Sequence, residues 1–196
     1  MLHTAYFGSV GWYKALLQGE AIDTSETYQK QSARNHCLIV SANGVQKLTV
    51  PVDVPYNHCP IREVCVSDHG NWRHQHWEAL RSAYGTSPFF EYYADDICPF
   101  FEKNGEWDKL FDFNLAITHK MCDLIGINSE VRLSDGQTID AIEKGGRASS
   151  PSSSIYTDNI GSYYQTFQQR HGFIPGMSIL DPLFNEGPAS ILNLIH

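Results

Sequence analysis

The chain has 196 residues, 42% hydrophobic and 18% charged, with 22 acidic against 14 basic side chains and a formal net charge of −8. That length suits one domain with a real core, and the composition is that of a globular rather than a disordered protein. The acidic balance argues against a grip on nucleic acid, which rests on Lys and Arg against phosphates, and no run approaches the ~20 apolar residues of a membrane span.

MLHTAYFGSVGWYKALL lacks a basic leader, so it does not read as a signal peptide. Five scattered cysteines, Cys37, Cys59, Cys65, Cys98 and Cys122, do not make a disulfide framework. We therefore expect reduced thiols and a cytoplasmic location.

HTAYF reads as a short strand, and GSVGWYKALLQGE as a helix from the spacing of Trp12, Ala15 and Leu16. CLIVSANGVQKLTVPV places two β-rich runs around Asn43-Gly44, the favoured two-residue hairpin turn. Residues 61–67 (IREVCVS) read as a third strand. Helices are expected over NWRHQHWEALRSAYG, between Asn71 and Gly85, over residues 88–103 with Pro88 first, and over WDKLFDFNLAITHKMCDLIGI. GGRASSPSSS (145–154) is loop by composition, and a helix is expected to resume over 161–171. Strands early and helices late predict a helix-rich α+β fold: one domain over 1–196, with a small mixed sheet that includes a hairpin near 37–52.

Asn-His-Cys occurs at 35–37 and at 57–59, but adjacent ligands on a strand point to opposite faces, so no metal is expected. His74 and His76 cannot share a helix face; one of them is expected in solvent and the other beside Trp72, where an imidazole could also act as an acid or base. Lys30 and Arg34, four apart in a polar segment, could hold one carboxylate or phosphate. FIPGMSILDPLFNEGP (173–188) sets Asp181 and Asn185 in an apolar helix. Ser178 and Asp181 could form a capping box there, or Asp181 and Asn185 could line a pocket with Tyr164 or Gln165.

YQKQSARN (28–35), LTVPV (48–52), W-x3-H-W-x2-L-x3-Y (72–84), SPFFE (87–91), Y-x-Q (163–165) and GFIPGMSILDPLFNEGP (172–188) follow one another in an order that resembles the WbqC-like proteins. These are bacterial proteins often encoded with O-antigen and surface-polysaccharide genes. The chain departs from the family pattern at Asn35-His36-Cys37 and at Pro182. The resemblance implies work on glycan assembly, including transfer of glycine or a similar acyl group to a nucleotide-linked or lipid-linked sugar. For such a transferase we expect Asp181 or His76 as base. Lys30 and Arg34 would hold an anionic donor, a nucleotide sugar or an activated acyl group. Asn35, Tyr164, Gln165 and Asn185 would position the acceptor over a floor of Trp72 and Tyr84. The alternative is a non-enzymatic module that binds a glycan precursor or a partner protein through the same surface. The cofactor is left open, with no metal expected.

Overall fold

The first residues run through the middle of the molecule. Leu2, Ala5, Tyr6 and Phe7 are buried. The Leu2 N–H donates to the Ala21 carbonyl and the Tyr6 N–H to the Ala33 carbonyl. The strand expected over HTAYF does not form. Leu2 makes an isolated parallel bridge to Ile22, and Phe7 turns to φ 41°, which ends extended backbone. Helix α1, Val10–Leu17, opens at Ser9, whose Oγ accepts the Trp12 N–H. This computed structural model describes residues 1–103, 107–127, 130–135 and 161–195; the loop expected at 145–154 lies outside them.

The α+β class holds, with three two-stranded ladders among the described residues in place of one mixed sheet. Strand β1, Ile22–Asp23, pairs in parallel with β6, Leu133–Ser134. The hairpin joins β2, His36–Ser41, to β3, Gly44–Thr49, with Ser41 opposite Gly44. Its loop is therefore Ala42-Asn43, one residue earlier than expected. A type I′ turn needs positive φ at both central residues. Asn43 keeps a negative φ, Gly44 takes φ 102°, and the Ser41 hydroxyl bridges the turn by accepting the Asn43 N–H and donating to the Gly44 carbonyl. Strand β4, Val52–Asp53, pairs antiparallel with β5, Cys65–Val66. The strand expected over 61–67 shrinks to β5 because Ile61–Glu63 turns into a 3-10 segment that buries Ile61.

Helix α2, Trp72–Tyr84, buries Trp72, His76, Leu80, Ala83 and Tyr84, a single stripe at helical spacing. Helix α3, Phe90–Ile97, starts after Pro88 rather than at it; the Phe89 N–H is held by the Phe184 carbonyl. Helix α4, Leu110–Ile125, ends on Gly126 in the left-handed region. The helix expected over 161–171 shortens to α5, Gln168–His171. Helices α6, Leu180–Glu186, and α7, Leu192–Ile195, follow.

One large apolar cluster joins the N-terminal segment, α2, α4 and α6. A smaller one, made of Tyr28, Cys59, Ile61, Val64, Leu110 and Phe111, fastens two loops to the start of α4. Fully burying one side chain such as Phe111 stabilises by about 1.5–3 kcal/mol, so these loops are anchored from below.

Candidate functional site

Asp181 sits in the first turn of α6 with no solvent exposure. Its carboxylate gathers four donors. Oδ1 accepts the Tyr84 hydroxyl at 2.9 Å and the Asn185 amide at 3.4 Å. Oδ2 accepts the Tyr163 hydroxyl at 2.8 Å and the Gln165 amide at 2.7 Å. Burial raises its pKa, and the hydrogen bonds from Tyr163, Tyr84 and Gln165 oppose that rise. The surrounding groups are also satisfied. Gln165 exchanges two bonds with the Ile174 backbone. Asn185 Oδ1 accepts from Ser87 and Thr166, and its amide donates to the Asp181 carbonyl.

This geometry replaces the capping box. Ser178 Oγ accepts the Leu180 N–H and donates to the Phe7 carbonyl, while the Asp181 carboxylate turns away from the cap toward Tyr84 and Tyr163. It also explains the missing first half of the 161–171 helix: Tyr163 and Gln165 leave helical geometry to reach one carboxylate. Tyr84, Gln165, Asn185 and Asp181 thus come together, around a packed centre. Tyr164 stays outside, 55% exposed, and its N–H donates to Glu186.

The other expected residues lie elsewhere. His76 is buried beside Trp72, with ring centroids 5.1 Å apart, and its Nδ1 hydrogen-bonds the Tyr6 hydroxyl at 2.9 Å. Burial lowers its pKa to about 4, against a weaker backbone hydrogen bond at Thr49, so it is neutral at pH 7. His74 is exposed. His76 and Tyr84 stand two turns apart on α2, about 12 Å along the axis, so His76 does not join the Asp181 centre. The Trp72 indole N–H donates to the Ser67 carbonyl. Arg34 is buried and its guanidinium grips Glu26 at 2.6 Å, whose other oxygen accepts the Thr4 N–H and hydroxyl. The Asn35 amide donates to the Val50 carbonyl.

Lys30 leads to a different place. A cleft of about 520 Å³ opens between residues 27–30 and the loop of Val54 and Tyr56–His58. Its walls are laced together by the Tyr28 N–H to the Cys59 carbonyl and the Ile61 N–H to the Glu26 carbonyl. Tyr28, Gln29, Lys30, Tyr56, Asn57 and His58 supply its polar groups, and no acidic side chain lines it. The Tyr56 hydroxyl is steadied by Glu63 at 2.7 Å. Arg34 stands behind this wall, close enough to offset part of the burial that raises the Tyr28 phenol. Gln31 and His58, flanking and lining the cleft, both hold left-handed backbone at φ 55° and 57°. For a side-chain-bearing residue that conformation is uncommon and concentrates at binding loops.

A shallower hollow of about 350 Å³ between α2 and α3 carries Glu78, Glu91 and Arg81, and Arg81 is already paired with Glu78. It is less suited to an anion. Among the described residues, no group of three or more His, Cys, Asp or Glu is placed to hold a metal ion, and no helix is long and apolar enough to cross a membrane. Tyr56 was not among the sequence candidates, and Asn57 and His58 were weighed there only as part of a repeated Asn-His-Cys that could have held a metal. The available signal was PYNHCP, a turn-rich segment between Pro55 and Pro60.

The cleft falls inside the stretch 10–149 that matches the model of the WbqC-like protein family; of the Asp181 centre, Tyr84 and Ser87 lie inside it and Tyr163, Gln165, Thr166, Asp181 and Asn185 beyond it. The chain is also similar to the uncharacterized protein Rv1507c of Mycobacterium tuberculosis (strain ATCC 25618 / H37Rv), 29% identical over 187 residues that cover 82% of this chain and 80% of that protein. No solved structure matches. With 140 contiguous residues under the family model, most of its length, the chain belongs to the WbqC-like protein family.

Proposed function

We propose that the chain binds an anionic glycan precursor, a nucleotide-linked sugar, in the cleft between residues 27–30 and 54–58. One observation carries this reading: in a chain of net charge −8, the cleft is lined by an ammonium, phenols, amides and an imidazole and by no carboxylate. Its volume is in the range of small-molecule sites. Lys30 would meet a phosphate, Gln29 and Asn57 the sugar hydroxyls, and Tyr28 and Tyr56 the faces of the sugar or base. Lys30 and His58 are exposed, so alanine at either position leaves the core intact.

The test is calorimetric titration and thermal shift of the full chain with nucleotide-linked sugars, with inorganic phosphate as a control. A ligand that binds the folded state raises the melting temperature. The expected result is a shift that Lys30→Ala and His58→Ala reduce without lowering the unliganded melting temperature. A shift untouched by both variants, or none with any sugar nucleotide, overturns the reading.

A second reading, an acyl transferase, is favoured by His58 on the cleft wall. Asp181 and His76 each serve buried partners, so the base would be His58. A sugar amine would attack the carbonyl of an activated glycyl donor. The new N–C bond forms, the bond from carbonyl carbon to the leaving oxygen breaks, and the amine proton passes to His58. Positioning and one base are enough for such a step. Incubation with a glycyl adenylate and an amino sugar nucleotide, read by mass spectrometry, should give a glycyl product that His58→Ala abolishes. Unchanged product with that variant rejects the role.

A further inference from the structure

One wall of the cleft turns on a strained residue. Gln31 holds φ 55°, left-handed backbone that costs energy for any residue with a Cβ. Turns of this kind normally recruit glycine or asparagine. Lys30, just before it, lines the cleft. A glutamine in that conformation persists only where its surroundings over-determine it, and here the restraint is visible. The Ser32 hydroxyl closes the turn by donating to the Gln29 carbonyl at 2.6 Å. The same oxygen accepts an Arg34 Nη1–H at 3.3 Å.

Arg34 is itself fixed. Its Nε and Nη2 both reach Glu26 Oε2, at 2.8 and 2.6 Å, and both side chains are buried. Glu26 Oε1 accepts the Thr4 N–H and hydroxyl, each at 2.8 Å. The backbone beside Arg34 is anchored too. The Tyr6 N–H donates to the Ala33 carbonyl, and the Asn114 amide to the Arg34 carbonyl at 2.7 Å. A chain of bonds therefore runs from Thr4 through Glu26, Arg34 and Ser32 to Gln29, and ends one residue from Lys30. The fork of a guanidinium makes this possible: two of its nitrogens take the carboxylate while the third reaches the serine.

We infer that Ser32, Arg34 and Glu26 are positioning residues for the cleft: the buried ion pair, acting through the Ser32 hydroxyl, holds the turn over residues 29–32 so that Lys30 meets an anionic ligand already ordered. The inference rests on the cleft being the binding site. Its physical content is preorganisation. A loop lysine that must be ordered on binding gives up part of its interaction to lost conformational freedom, and one on a fixed turn gives up less. Arg34 thus serves the ligand without touching it. Removing the Ser32 hydroxyl leaves the ammonium and the ion pair in place and frees the turn.

The experiment compares the full chain with its Ser32→Ala and Ser32→Thr variants by backbone amide relaxation in NMR and by calorimetric titration with UDP-, GDP- and dTDP-linked glucose. The order parameters of Lys30 and Gln31 should stand at about 0.85 in the wild type and fall below about 0.6 in Ser32→Ala. Affinity should weaken about three- to ten-fold in Ser32→Ala, the cost of ordering one long side chain on binding. Ser32→Thr keeps a hydroxyl and should restore both. Added to Lys30→Ala, Ser32→Ala should weaken binding no further, because its effect passes through Lys30; that coupling separates positioning from a general loss of stability. Arg34→Lys keeps a charge for Glu26 but not the bond to Ser32, and should loosen Lys30 and Gln31 as Ser32→Ala does. A turn already flexible in the wild type, or rigid in both Ser32→Ala and Arg34→Lys, overturns the inference, as do independent effects of Ser32→Ala and Lys30→Ala on affinity. If no sugar nucleotide binds the wild type while the turn loosens as expected, the binding assignment fails and the ordering of Lys30 by the ion pair stands.

Discussion

Lowering the pH from 7 to 5 should cost the fold about 1.8 kcal/mol through His76 alone. Its pKa falls from 6.5 in the unfolded chain to about 4 in the folded one. Between those values the unfolded state binds the extra proton, so stability rises with pH. The His76 contribution is fully present above the unfolded value and is lost as pH falls toward 4. Integrating over the two protonation states, protonation of the unfolded chain is worth about 2.0 kcal/mol at pH 5 and about 0.2 kcal/mol at pH 7. The physical cause is desolvation: a charged imidazole would sit among Tyr6, Trp72 and Phe101. Other groups titrate too. His3 shifts the same way, whereas Glu26 and Asp181, both raised, push stability in the opposite direction. The clean measurement is therefore a difference. Urea unfolding followed by tryptophan fluorescence, for the wild type and for His76→Gln at pH 7 and pH 5, isolates the His76 share. The variant loses packing at both pH values, and that offset cancels. Its loss between pH 7 and pH 5 should be smaller than the wild type's by about 1.8 kcal/mol. Equal losses would refute a buried neutral imidazole.

Asp181→Asn should destabilise by about 2–4 kcal/mol in the same unfolding assay, because each carboxylate oxygen faces an amide N–H and an asparagine must turn its own N–H₂ against one of them. A loss under half of that would mean the centre is wet or loosely bonded. Arg34→Ala should cost about 3–5 kcal/mol by leaving the buried Glu26 without its cation; a change within the range of a surface substitution would contradict the burial of that pair. Gly187→Ala and Gly126→Ala make a paired test by thermal unfolding. Both glycines hold positive φ, but a Cβ at 187 would lie 2.6 Å from the Phe89 ring while one at 126 meets open space. Gly126→Ala should cost about 1–2 kcal/mol of backbone strain and Gly187→Ala about 1–3 kcal/mol more.

Much of the scaffold was legible because local rules and tertiary packing agreed. The helical spacing of Trp12, Ala15 and Leu16 marked α1, and the apolar stripe of α2 showed in the spacing of its residues. The hairpin was readable from two β-rich runs around Asn43-Gly44, though its loop settled one residue early. That detail depends on the Ser41 hydroxyl, which no pattern of hydrophobicity encodes. The helix expected over 161–171 lost its first half for a reason 16 and 18 residues away. Tyr163 and Gln165 gain hydrogen bonds to a buried carboxylate, and those outweigh a turn of helix.

The candidate site was less legible than the scaffold. Lys30 was found from its polar surroundings, but Tyr56, Asn57 and His58 face it only because Thr27 bridges to Pro60 across the chain. Arg34 looked like a partner for a ligand and instead serves Glu26, a residue whose burial nothing in its neighbours announces.

From the sequence alone come the α+β class, the family, the main helices and the division of His74 and His76 between solvent and a place beside Trp72, though not which of the two takes which. Those rest on periodicity, turn chemistry and residue order, which are local properties of the chain. Tertiary structure alone decided which polar residues are spent on one another and which are left facing a cleft. A hydrogen bond such as Tyr84 to Asp181 joins residues 97 positions apart, and desolvation depends on everything packed around a group. Neither is a property of any stretch of sequence read by itself.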